Sequence, residues 1–279
     1  MSDAYHIAQM NRTILSVFRQ RASVAIIMVL FMLAPNGWTS QVSSDAVQRG
    51  RTFLVNLIDP DLNLLPEYRG ANVYWLFHDN YLAAKVLAVS HLRVAQRIMA
   101  AIHQEGIYKS GRIQVIFGEA GEPLPFRQHQ LEDVRRAGNK VIRTEVATGQ
   151  VFDGWSEYAD LLLLACIAEK NQPAARQHWD AAMRWWDGKG FLDAAARHDH
   201  RYSTYKLGLA LLAANHLSPT AEPPQGLLDK LPALQDDSGG WITDYDATGK
   251  KIGVANVETT CLAILGIEAF AAHKLPSAK

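Results

Sequence analysis

HDNYLAAKVLAV, residues 78–89, opens on an imidazole, a carboxylate and an amide and then continues as an almost uninterrupted apolar run. That order predicts a helix whose body is buried on nearly all sides and whose first turn is polar. Three further stretches have the same build: SEYADLLLLACIAE from Ser156, YSTYKLGLALLAAN from Tyr202 and NVETTCLAILGIEAF from Asn256. With Leu82, Leu161, Leu207 and Leu262 as register marks, the separations are 79, 46 and 55 residues.

The long first separation contains a stretch of different character, 111–146, whose ends IQVIF and KVIRTEV are β-branched and bounded by Gly and Asn. This reads as a β-hairpin insertion with a long loop, placed to act either as a lid or as a brace. Without its 36 residues the first separation falls to 43, so one supersecondary unit recurs along the chain. Amphipathic segments lie between the apolar ones, DAVQRGRTFLVNLI from Asp45, RVAQRIMAAIHQ from Arg93 and PAARQHWDAAMRWW from Pro173, and supply an outer layer. The expected class is all-α: an α/α toroid, partial or complete, of repeated helical hairpins over residues 45–275, with inner-helix starts converging on a central cavity.

QDDSGGW, Gln235 to Trp241, has the pattern Gln, three residues, Gly, one residue, Trp. It resembles the QW motif of the terpenoid cyclases, whose relatives include the protein prenyltransferase β subunits, and the continuation to Leu265 is similar to the way those toroids enter an inner helix. The resemblance covers about 35 residues at the C-terminal end and implies a fold in which the Gln and Trp clasp neighbouring helices. The DxDD acid motif and the prenyltransferase zinc ligands of that family are missing from this sequence, so its chemistry does not carry over. The chain is also similar to the six-hairpin glycosidases and related polysaccharide-degrading enzymes, although only four hairpins can be traced.

The N-terminus has its own logic. Arg12, Arg19 and Arg21 precede the uncharged run ASVAIIMVLFMLA at 22–34, followed by a helix-breaking stretch that ends in small residues. The run would span about 20 Å as helix, short of the roughly 30 Å hydrocarbon core, so residues 1–44 read as a secretory signal. The alternative is an uncleaved anchor over 22–34, and either reading puts the domain outside the cytoplasm. Twenty-eight basic residues balance twenty-eight acidic ones and no basic stripe appears, which excludes nucleic acid as an expected partner. Both cysteines, Cys166 and Cys261, lie inside apolar helical runs and are expected as buried free thiols.

Acids at the inner-helix starts would face the shared cavity, where residues far apart in sequence can meet. Glycoside hydrolysis needs two carboxylates, about 5–5.5 Å apart for retention and roughly 6.5–9.5 Å for inversion. Asp79, Glu157 and Glu258 are the catalytic candidates, with Asp160 as a further acid, and the competing reading of each is a first-turn residue that complements the helix dipole. Asp79, between Phe77, His78 and Tyr81, suits a desolvated general acid; Glu157 and Glu258 suit base or nucleophile work. Trp75, Trp155, Tyr202, Tyr205 and Asn256 are the expected substrate contacts, against the alternatives of core plugs and, for Asn256, a helix cap.

No metal site is expected, since His198, Asp199 and His200 lack further ligands in register and Asp187 and Asp193 lack calcium-loop spacing; no cofactor is expected either. The function expected is an exported protein that binds, and hydrolyses or otherwise cleaves, carbohydrate or another small ligand in the central cavity. A noncatalytic binder of a protein, peptide or lipid is the alternative, and an isoprenoid enzyme ranks last.

Overall fold

The structure, a computed structural model, describes residues 37–107, 111–169, 171–217 and 221–274. Residues 1–36, and with them the apolar run 22–34 and most of the expected export signal, lie outside the described residues. Among the described residues no helix is long and apolar enough to cross a membrane.

Four buried helices stand in a row: α2 (Phe77–Leu87), α8 (Val257–Lys274), α6 (Tyr205–Leu217) and α4 (Ala159–Ala168), each packed on the next. These are the apolar segments of the sequence, and their composition explains the arrangement. In α4 every residue from Leu161 to Cys166 is buried, so no face is left for water. The amphipathic helices sit outside: α3 (Leu92–Gln104) covers α2 and α5 (Gln172–Met183) covers α4. In α3 only Ala95, Ile98 and Ile102 are buried, the single stripe expected of an outer helix.

The centre of the row depends on two glycines. A Cβ at Gly208 in α6 would lie 2.3 Å from the Leu262 carbonyl oxygen, and one at Gly266 in α8 would lie 2.4 Å from the Gly208 oxygen. The two backbones are therefore in direct contact, which no larger residue permits.

The all-α expectation is wrong. Strand makes up 20% of the structure, in two three-stranded sheets, and the class is mixed α/β rather than an all-α toroid. In the first sheet β1 (Tyr74–Leu76) pairs in parallel with β3 (Lys140–Val151), which pairs antiparallel with β2 (Arg127–Ala137). In the second, β5 (Ile242–Tyr245) lies between β4 (Tyr202–Ser203) and β6 (Lys251–Ala255), antiparallel to both. These strands escape a search for apolar alternation because several are very short and β2, RQHQLEDVRRA, is exposed along most of its length.

The insertion is also differently built from the expectation. IQVIF is not a strand but part of a 3-10 helix, Arg112–Phe117, packed on α4 and bracketed by Gly111 and Gly118, both at positive φ. The hairpin is β2 and β3, joined at Gly138, and it extends past residue 146.

The QDDSGGW turn is fully engaged in packing. Gln235 donates through Nε2 to the carbonyls of Ala46 (2.8 Å) and Gly239 (2.7 Å) and accepts from Arg49, which ties the turn to α1 (Gly37–Asn56). Trp241 is completely buried, donates to the Leu231 carbonyl of α7 (Leu227–Ala233) at 2.7 Å, and lies so close over Gly50 that a Cβ there would come within 2.7 Å of its ring. Both cysteines are buried and free.

Candidate functional site

Because α2 and α8 pack side by side, their first turns meet. α2 begins directly at the end of β1, so His78 and Asp79 emerge where that strand stops. Asn256 caps α8, its Oδ1 accepting from the Thr259 N–H at 2.9 Å, and Glu258, half-buried, stands in that capped first turn. One donor atom each from His78, Asp79 and Glu258 lie within 4.8 Å of one another.

Two connections bring further carboxylates to the same place. Asn80 accepts from the Leu65 N–H at 2.7 Å and donates to the Leu65 and Leu76 carbonyls, pinning the 65–68 segment along the helix start. The Val257 N–H donates to the Glu67 carbonyl at 2.9 Å, and Tyr68 bridges to Asn256. Parallel pairing of Leu76 with Arg143 then sets Glu145, two residues further along β3, beside the first turn of α2. Glu67, Glu145 and, from the start of α4, Asp160 all bear electrostatically on Glu258.

The electrostatics follow from that crowding. Burial pushes the Asp79 carboxyl up to about 8; His78 opposes this, while Glu258, Glu67 and Glu145 reinforce it. Burial alone would depress the His78 imidazole, but the combined carboxylates Asp79, Glu258, Glu145 and Glu67 hold its proton and raise it. Glu258 is likewise raised, first by burial, although its side chain retains some solvent contact. Asp79 is 1% exposed and neither carboxylate oxygen has a hydrogen-bond partner; the His78 Nδ1 is also buried and unbonded. His78 Nε2 does lie 3.4 Å from Asp79 Oδ1, an ion-pair distance without hydrogen-bond geometry.

A second polar junction forms where α4 and α6 begin. Tyr205 donates to Asp160 Oδ2 at 3.0 Å, and the buried Lys206 ammonium lies 2.6 Å from Asp193 and 3.7 Å from Asp160. Asp193 also accepts from the Ala159 N–H at 2.8 Å, capping α4 from a distant loop, and from the Ala195 N–H at 3.1 Å. The carboxylate considered from sequence as a loop calcium ligand is thus committed to a lysine and two amides.

Of the residues expected from sequence, Asp79 and Glu258 come together and Tyr205 stands next to them through Asp160. Glu157 does not join them: it ends a 3-10 turn, Trp155–Glu157, and pairs on the surface with Arg197. Trp75 is buried, with the Lys140 ammonium 5.6 Å from its ring centre. Trp155 packs on Phe126 and His178. Tyr202 is buried, stacks on Tyr245 and donates to Asp187 at 2.6 Å. Asn256 is the cap described above. These four serve packing and helix termination, the alternative the sequence also allowed. His78 was legible as the neighbour of Asp79, whereas Glu67 and Glu145 carry no local signal and are placed by a pinned loop and a strand pairing. No protein-family model matches the chain, and no curated protein is significantly similar to it.

Proposed function

We propose that this protein binds carbohydrate at the acidic cluster formed by the starts of α2 and α8, outside the cytoplasm. The observation that carries the reading is the convergence of Asp79, Glu258 and His78 within 4.8 Å, with Glu67, Glu145 and Asp160 around them. Clustered carboxylates are acceptors suited to the hydroxyls of a neutral sugar, and their shared charge disfavours an anionic ligand. Tyr68, 38% exposed and bridged to Asn256, adds an aromatic surface at the edge of the cluster on which a sugar ring can stack.

The second reading is cleavage by a carboxylate pair. Its support is proximity: Asp79 and Glu258 each bring a carboxylate oxygen within 4.8 Å of the other, so two acids share one place as glycoside hydrolysis requires. Glu157, paired on the surface with Arg197, has no part in either reading.

A panel of neutral and anionic oligosaccharides, titrated against the full chain by calorimetry, tests the first reading; saturable binding of a neutral glycan that Asp79→Asn and Glu258→Gln abolish is expected. Release of reducing sugar from the glycan that binds tests the second. A panel with no saturable ligand would remove the carbohydrate reading.

A further inference from the structure

We infer that His78, Asp79 and Glu258 hold a divalent transition-metal cation, Zn2+ or Mn2+, leaving coordination positions open to water and to hydroxyls of a bound ligand. The inference deepens the carbohydrate reading by naming what would stand between the protein and the sugar, and it rests on that reading only for the identity of the outer ligand.

Three independent features converge. The first is geometry: a donor atom from each of the three residues falls within 4.8 Å of the other two, near enough for small side-chain rotations to bring all three onto one ion. Around an ion with bonds of about 2.1 Å, two ligand atoms in tetrahedral positions lie about 3.4 Å apart. His78 Nε2 and Asp79 Oδ1 are separated by 3.4 Å without forming a hydrogen bond.

The second is an unmet demand. Asp79 is 1% exposed with both oxygens unbonded, and it faces the imidazole and Glu258. Burying a polar group without a hydrogen-bond partner costs roughly 2–7 kcal/mol, so folded proteins rarely leave one in that condition. The groups that act most strongly on Asp79 are one imidazole against three carboxylates, Glu258, Glu67 and Glu145, which leaves a local excess of negative charge. Lys206, the buried ammonium at the neighbouring junction, is committed to Asp193 at 2.6 Å.

The third is the donor set. One imidazole with two carboxylates suits zinc, manganese or iron, whereas calcium and magnesium prefer oxygen alone. Three protein ligands, rather than four, is also the count that leaves a position for water or substrate. The ligands come from the first turns of two helices whose packing holds them in place, so the site requires no rearrangement of a loop to form.

The test uses the full chain freed of metal by chelation and dialysis. Titration with ZnCl2 by calorimetry, and with MnCl2 by electron paramagnetic resonance, is expected to show one cation per chain. His78→Gln, Asp79→Asn and Glu258→Gln should each weaken binding more than about 100-fold, above the loss usual for a supporting residue behind a ligand. Glu157→Gln should bind as the wild type does. Where a variant fails to fold by circular dichroism, X-ray absorption on the zinc-loaded wild type replaces it, with nitrogen and oxygen donors at about 2.0–2.2 Å expected. Absence of saturable one-to-one binding, undiminished affinity in folded Asp79→Asn and Glu258→Gln, or a sulfur or purely aqueous shell would each overturn the proposal. Glycan binding that persists undiminished in chelator would overturn the cation as the link to the sugar and spare the carbohydrate reading; a cation lost in the three variants with no glycan bound would do the reverse.

Discussion

The starts of α2 and α8 and the starts of α4 and α6 are built alike and finished differently. Both junctions bury charge at first turns of apolar helices. At the α4/α6 junction a lysine, two backbone amides and a phenol meet Asp193 and Asp160, so each carboxylate has a partner, although Asp160 Oδ1 stands 3.7 Å from Lys206 without a hydrogen bond. At the α2/α8 junction carboxylates face one another around a single imidazole, and Asp79 has no hydrogen bond at all. A completed network rigidifies a fold, and an incomplete one costs stability unless a ligand completes it. The contrast sets the α4/α6 junction apart as structural and supports the α2/α8 junction as the proposed binding site.

Mutations can break that contrast directly, and the largest effect belongs to the completed side. Lys206→Met strands Asp193 as a buried, uncompensated carboxylate and should cost about 3–5 kcal/mol in urea denaturation. Gly208→Ala, or Gly266→Ala, forces apart the backbones that set both junctions and should cost roughly 1–3 kcal/mol by the same measurement. The two variants should differ in how they reach the α2/α8 junction: the glycine changes should also weaken ligand binding there, and Lys206→Met, in the fraction that remains folded, should not.

The incomplete side should respond with the opposite sign. In metal-free protein Asp79→Asn replaces a buried carboxyl group that has no hydrogen-bond partner and is expected to leave stability unchanged or raise it by about 1 kcal/mol. A clear drop in the melting temperature of metal-free Asp79→Asn would show that the carboxylate is structurally satisfied after all, and the contrast would collapse.

A smaller test concerns the hairpin that carries Glu145. Burial would raise the Asp59 carboxyl, but the Lys140 ammonium and the N–H groups of Leu62 and Asp61 outweigh it and hold the group below its ordinary value. The Asp59 contribution is therefore complete above the usual carboxylate range, about pH 4, and is lost as pH falls through the lower folded value. Melting temperature against pH should decline less steeply on the acid side in Asp59→Asn than in the wild type. The difference should amount to no more than about 1 kcal/mol, since the pair is partly exposed.

How much of this was legible in the sequence follows from the range of each signal. The four buried helices are written in continuous apolar runs, and the polar residues at their starts point to Asp79 and Glu258 in the sequence itself. Of the sheets only the start of β3, KVIRTEV, was legible, because three-residue β1 and the solvated β2 lack an apolar period, and the strands left out produced the wrong fold class. Glu157 shows the limit of the first-turn argument. In sequence it stands before an apolar run as Asp79 does, but the chain turns at Gly154 and delivers the carboxylate to Arg197 on the surface. Glu67 and Glu145 lie further from any local signal, since their placement depends on the Asn80 hydrogen bonds and on the β1–β3 register.

The touching glycines of α6 and α8 have a consequence for how this protein can diverge. Where side chains interlock, a helix can creep along its neighbour as one residue shrinks and another grows. Here main-chain atoms meet with nothing between them to trim, so the height at which Glu258 stands is insulated from gradual drift in the surrounding core. Relatives of this chain that exchange many interior residues should still keep that carboxylate at the same level, provided both glycines survive.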